Sequence, residues 1–321
     1  VAETLHLIRD NMVSPIVLAF ILGIVATFMK SDLKIPESIY TALSIYFLLG
    51  LGLQGGAQLV STPLAEMGVP IFCALLIGAA IPVACSLTLT RQGAYSATYA
   101  AAIASHYGFV STVTLYAAMS WLSTEHIPYE GYLPALAACM ELASLIAVLF
   151  TTRARASMGQ YWGQIARDVL FGKTILLVVG GTLIGIWSGK EGYDMVAPCF
   201  LEPFQGIACL FMMELGIVAA KRLGDLRDFG VLWTIATGVV VPMGCGFVGV
   251  ALGNFAHLSL GGKMALGVIC ASSSYLAAAI AVRVSMPKLN PDYYFTTALA
   301  ISLPFNLVAG FPLYLYLARV M

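Results

Sequence analysis

The sequence predicts an all-α membrane protein with ten transmembrane helices in two inverted five-helix repeats. Three observations carry that prediction. The 321 residues are 60% hydrophobic and only 10% charged, where soluble domains carry about 25% charged residues. The apolar residues gather into ten runs that meet or nearly meet the roughly 20 residues needed to cross a hydrocarbon core of ~30 Å. The last five runs also repeat landmarks of the first five in order.

The runs fall at 14–29, 39–59, 69–89, 94–121, 132–152, 174–188, 201–220, 231–253, 264–282 and 293–317. Charged residues mark the gaps between them. Ten crossings put both termini on one side. That side holds Arg9, Lys190, Lys263 and Arg319. The other holds Lys30, Lys34, Arg91, Arg153, Arg155, Arg167, Lys173, Lys221, Arg222, Arg227, Arg283 and Lys288. The positive-inside rule makes the richer side cytoplasmic, so the expectation is a multi-pass protein of the plasma (inner) membrane with both termini outside. The first run, followed by nine more, reads as a span and not a removable leader.

Composition also excludes classes. Zero net charge leaves no basic footprint for nucleic acid. The seven cysteines contain no C-x-x-C pair and read as buried free thiols, not disulfides or a metal cluster.

The duplication fixes the topology. Gly78, Pro82 and Cys85 in the third run align with Gly238, Pro242 and Cys245 in the eighth at a shift of 160. Gly52 to Leu59 matches Gly216 to Leu223 in the seventh. Ala102 to Ser105 in the fourth matches Ile269 to Ser272 in the ninth, and Pro128 pairs with Pro291. A five-span unit is odd, so its second copy enters the membrane from the opposite side, as in secondary transporters.

The fourth and ninth runs carry the polar clusters. Ser105-His106-Tyr107-Gly108, then Ser111, Thr112 and Thr114, interrupt the fourth; Ser272-Ser273-Ser274-Tyr275 lies at the same depth in the ninth. Backbone groups freed by a helix break are tolerated in a membrane only inside protein or around a cavity. There, half-helix N-termini suit a small anion and bare carbonyls suit sodium. Ser105, Ser111, Thr112, Thr114, Ser272, Ser273 and Ser274 are therefore the candidate substrate-binding residues. Glu141 and Glu214 are the acidic residues placed within the hydrocarbon, and with Asn306 beside Pro304 they are the candidates for sodium or proton coupling. Close packing of small residues and interhelical hydrogen bonding are the structural alternatives for these groups. Tyr107, Phe109 and Tyr275 would suit a larger, more apolar cavity. His106 beside Ser105 raises nucleophilic catalysis, but helix neighbours point apart and no G-x-S-x-G or H-E-x-x-H motif occurs, so an enzyme is not expected. Arg283, at the end of the ninth run, reads as a snorkelling side chain.

Along nearly its whole length the chain resembles the cyanobacterial sodium-dependent bicarbonate transporters. The resemblance rests on Ser14-Pro15 with Leu18-Ala19-Phe20, Ile35-Pro36-Glu37, Gly52-Leu53-Gln54-Gly55-Gly56 and Tyr129-Glu130. It continues through Arg222 to Arg227, Ala271-Ser272-Ser273-Ser274 and Asn290-Pro291. It implies a symporter moving bicarbonate with sodium by alternating access, with discontinuous helices 4 and 9 crossing in a core domain, and a homotrimer. The implied gate is 14–60 with 174–223; the implied core is 69–152 with 231–321; 153–173 is a cytoplasmic linker. The family's Ser-Gly-Ser-Thr stretch falls on Ser111 to Thr114.

This chain departs from the family in the ninth run. Tyr275 replaces an acidic residue, and Ala277 to Ala281 replace a glycine, two prolines and hydroxyls; Val218 stands for another acidic residue in the seventh. The family's PII-like regulator would approach near 153–173, but that connection, with Tyr161 and Trp162, is short and basic, which argues against docking there. The reading is a secondary transporter of a small anion, bicarbonate with sodium as coupling ion. An organic-anion symporter of the bile-acid type, or a transport-inactive receptor or scaffold keeping the fold, are the alternatives.

Overall fold

Helix boundaries follow local chemistry. In the computed structural model, α1 (Pro15–Phe28) opens with Ser14 Oγ accepting from the Val17 N–H and proline in its first turn, a start that satisfies one orphan donor and removes another. The structure describes residues 12–93, 95–153, 167, 171–201, 203–223, 231–274, 278, 282, 286, 289, 294 and 296–321. Among these, every regular element is helical: α2 (Glu37–Ser61), α3 (Leu64–Arg91), α4 (Ala97–Gly108), α5 (Thr112–Thr124), α6 (Leu133–Arg153), α7 (Lys173–Leu201), α8 (Phe204–Leu223), α9 (Val231–Phe255), α10 (Leu260–Ala271) and α11 (Thr296–Val320). Within α11, Thr296–Ser302 and Asn306–Gly310 are π-helical. Each widened run ends just before a proline, Pro304 or Pro312, whose missing N–H and ring crowd the preceding turn.

Among the described residues, five helices are long and apolar enough to cross a bilayer: Glu37–Ser61, Ala65–Arg91, Phe204–Lys221, Val231–Phe255 and Thr296–Val320. Their outward faces are apolar too, with Phe72, Leu210, Leu232 and Phe247 all exposed. Exposed apolar surface on this scale matches lipid and not water. The protein is a membrane protein.

Glycine joins two pairs of helices. On α1 and α8, a Cβ at Gly23 would strike the Met213 carbonyl oxygen, and one at Gly216 that of Phe20. On α2 and α7, a Cβ at Gly56 would strike the Thr182 carbonyl oxygen, and one at Gly185 that of Leu53. In both seams each glycine meets the carbonyl three residues before the facing glycine, and because Cβ leans toward a helix's N-terminus each pair is parallel.

Gly189 (φ 63°) then turns α7 sharply; this positive φ suits glycine. It is why the apolar run predicted to stop at 188 is followed by a further helical stretch. Residues 190–201 pack back along α2, where Phe200 stacks on Tyr46 at 5.0 Å and Tyr46 Oη donates to the Cys199 carbonyl at 2.8 Å.

The remaining helices pack as α3 on α4 and α6, and α10 on α9 and α11. Their shared interior is where α4 lies, buried from Ala100 to Gly108. A helix apolar on every side and buried on every side has nowhere to expose a polar residue, so its Ser, His and Tyr must find partners inside.

Candidate functional site: two helix ends that meet

The chain leaves α4 at Gly108 and re-enters a helix at Thr112, with Phe109 and Ser111 extended between them. Gly108 lies close against Pro82: a Cβ there would sit 3.0 Å from the proline ring, which would have to give way. Ser111 starts α5 as its N-cap: its Oγ accepts from the Thr114 N–H at 3.3 Å and from the Thr114 hydroxyl at 2.8 Å. On the other side α10 stops at Ala271, and Ser272 turns extended (φ −67°, ψ 155°). The Ser272 hydroxyl donates to the Ile269 carbonyl at 2.8 Å, closing the helix end.

The two ends bond to each other. His106 Nδ1–H donates to the Ser274 carbonyl at 2.6 Å, and the Ser274 N–H donates to the His106 carbonyl at 2.9 Å. The Ser111 N–H donates to Ser272 Oγ at 3.0 Å. His106 also stacks on Tyr294, ring centres 5.2 Å apart. Three hydrogen bonds thus tie 106–111 to 272–274, all between buried residues.

α11 supplies the surround. Ser273 Oγ donates to the Ala298 carbonyl at 3.1 Å, and the Tyr107 hydroxyl meets Ser302 Oγ at 2.8 Å. Asn306 Nδ2 donates to the Ala271 carbonyl at 2.8 Å, covering an orphan acceptor at the end of α10. Its Oδ1 accepts from the Tyr314 hydroxyl at 3.1 Å, so the amide oxygen foreseen as a cation ligand serves within the framework.

Of the seven foreseen hydroxyl residues, Ser111, Thr114, Ser272, Ser273 and Ser274 belong to this junction, and Thr112 is the first helical residue beyond it. Ser105 is buried one turn earlier, its Oγ back-bonded to the Ala101 carbonyl at 2.7 Å. Glu141 is fully buried in α6, with Oε1 lacking a hydrogen-bond partner. One turn on, Leu145 belongs to a buried cluster with Phe109 and Ala278, which places Glu141 on the helix stripe that leads to the α4 break. Glu214 stands apart: its carboxylate accepts from the Ile35 N–H in the α1–α2 connection, while its Oε2, like Glu141 Oε1, is buried without a hydrogen-bond partner. Tyr275, Ala277, Ala279 to Ala281, Arg283 and most of the 153–173 connection lie outside the described residues.

Two residues central to the junction were not singled out as site residues by the sequence. His106 was weighed only as a catalyst, and Ser302 not at all. The usable signal for His106 was a lone imidazole deep in an apolar helix.

Among the described residues, the junction presents donors and no cation. α5 presents its N-terminus here; with the Ser111 and Thr114 N–H groups already engaged, the Thr112 and Val113 N–H groups are its open donors.

The model of the Na+-dependent bicarbonate transporter superfamily matches residues 15–319. The chain belongs to that superfamily. The matched region contains every residue of the junction. No curated protein sequence matches the chain. As a superfamily member this is a transport protein of the membrane.

Proposed function

We propose that the chain is a secondary transporter that carries a small anion, bicarbonate, together with sodium. The observation that carries this reading is the junction itself: the open N–H groups of Thr112 and Val113 at the start of α5, hydroxyls from Ser111, Thr112 and Thr114, and the facing end of α10. A planar, singly charged anion of a few atoms can be held by such dipolar donors without a buried cation.

The inverted repeat belongs to the same proposal. Exchanging the first five runs with the last five turns the α1–α8 seam into the α7–α2 seam, and α3 on α4 into α9 on α10; all four contacts exist. The glycine seams then make a gate from 14–60 and 174–223. The helices around the junction make a core from 69–152 and 231–321, and alternating access moves one against the other. Trimeric assembly and the orientation with both termini outside complete the reading.

Coupling falls to Glu141. A buried carboxylate without a full set of partners is stable only when protonated or matched by a cation, and unwound carbonyls next to it suit sodium. Glu214 Oε2 also lacks a partner, but that residue lies by the α1–α2 connection and not at the junction, and the Asn306 amide is engaged on both sides, so these two are the secondary candidates for coupling. Tyr107 is taken up by Ser302 and Phe109 by its apolar cluster, so no observation favours the larger organic anion.

Uptake of labelled bicarbonate into proteoliposomes, with sodium, proton or no gradient, tests this. Sodium-driven accumulation is expected. Accumulation driven by protons alone would make Glu141 a proton carrier, and absence of gradient-dependent flux of any small anion would overturn the proposal.

A further inference from the structure

We propose that Cys85 and Cys245 form a dithiol site that a small neutral peroxide converts to a disulfide between α3 and α9. The two sulfurs are 4.0 Å apart, although the residues are 160 positions apart in sequence. They are the matching cysteines of the two duplicated Gly-x-x-x-Pro-x-x-Cys stretches. A disulfide needs about 2.05 Å between sulfurs, so closure asks for about 2 Å of approach.

The pair can be reached. It lines a cavity of about 370 Å³ between α3 and α9, bordered by Thr88, Gln92, Trp233 and Thr237. Cys85 is nearly covered, and Cys245 is half-buried. The cavity exceeds the volume of a peroxide many times over, and among the described residues its lining carries no charged side chain.

The chemistry balances with peroxide as sole oxidant. One thiol, as its thiolate, attacks a peroxide oxygen; the S–O bond forms as the O–O bond breaks, the thiol's proton goes to the departing hydroxide, and a sulfenic acid and one water result. The second thiol attacks the sulfenic sulfur; the S–S bond forms and a second water leaves. Two thiols are oxidised by two electrons and the peroxide is reduced to two waters. Proximity favours the second step, which is intramolecular.

The site's position gives the reaction a consequence. Pro82, one turn before Cys85, packs against Gly108 at the α4 break. Pro242, one turn before Cys245, offers its carbonyl to the Tyr314 hydroxyl at 3.2 Å; Tyr314 also reaches Asn306, which holds the end of α10. Drawing the sulfurs together therefore shifts both supports of the junction. The chemical part of this inference is independent of the transport reading; the consequence rests on it.

The test treats purified protein in liposomes with hydrogen peroxide and maps disulfides by mass spectrometry of unreduced digests. A Cys85–Cys245 linkage is expected, removed by dithiothreitol and absent in Cys85→Ser and Cys245→Ser. Both thiols remaining alkylatable, under conditions that oxidise the denatured chain, would overturn the site. So would a Cys245–Cys270 linkage in place of the expected one. Oxidation is also expected to slow bicarbonate uptake several-fold in the wild type and leave the Cys85→Ser/Cys245→Ser double variant unchanged; linkage with unaltered uptake overturns the coupling to the junction. A reduced wild type with no uptake at all counts against the transport reading alone, since the mass map stands by itself.

Discussion

The glycine seams and the junction join helices in opposite ways. Where α1 meets α8 and α2 meets α7, backbone lies directly on backbone, and a single added carbon would collide with a carbonyl oxygen. Where α4 and α5 meet α10, the helices stop, and hydrogen bonds from His106, Ser111 and Ser274 span the gap. The first joint depends on shape, which in lipid is the main source of helix association. The second depends on polar groups that can exchange one partner for another. A membrane protein that must hold some helices fixed and let others receive a solute gains from having both.

The sharpest way to break this contrast is a methyl group in a seam. Gly216→Ala puts a Cβ onto the Phe20 carbonyl oxygen, a backbone atom that cannot swing aside. Overpacking of this kind costs about 3 kcal/mol or more where the backbone must separate. Thermal unfolding in detergent should show the largest loss of stability of the variants described here. Gly244→Ala, with nothing within 4 Å of the added carbon, should unfold like the wild type. Equal behaviour of the two would mean that the seam is not set by shape.

His106→Ala tests the other joint. It removes the donor to the Ser274 carbonyl and leaves a buried acceptor unsatisfied, for about 1–3 kcal/mol. The same loss frees the end of α10, so uptake should fall by more than the stability change alone explains. His106→Asn, which keeps an N–H donor on a shorter arm, should recover part of both. A variant as active as the wild type would show that the His106–Ser274 pair does not shape the site.

These contrasts were unevenly legible in the sequence. Apolar run length placed α1, α2, α3, α6, α8 and α9 to within a few residues, because crossing length and lipid exposure act on composition directly. Hydroxyls clustered in otherwise apolar runs located both helix ends for a similar reason: polar groups in that setting need a cause. What could not be read was pairing. Nothing local says that His106 faces Ser274 across 168 positions, or that the carboxylate of Glu214, midway along an apolar run, reaches the Ile35 N–H. Nor did the apolar count anticipate that α7 turns at Gly189 and packs back along α2. Lys190, Glu191 and Asp194 dilute that segment, although Tyr193 and Ala197 are buried.

Ser272→Ala removes an acceptor for the Ser111 N–H and a donor to Ile269, for about 1–2 kcal/mol. Because Ser111 starts α5, the expected effect is again greater on uptake, about ten-fold, than on unfolding. Ser105→Ala should do least. Among the described residues its hydroxyl bonds to Ala101, four residues back in the same helix, a contact that adds little to helix stability and competes with the ladder's own acceptor. The helix survives its removal with every backbone bond in place, and the vacated volume is one oxygen atom. Unfolding and uptake should both stay near wild type, within about 0.5 kcal/mol. A several-fold loss of uptake in Ser105→Ala, with unfolding unchanged, would mean that the serine leaves Ala101 during transport and serves the solute. The junction would then extend a full turn deeper into α4 than its resting hydrogen bonds indicate.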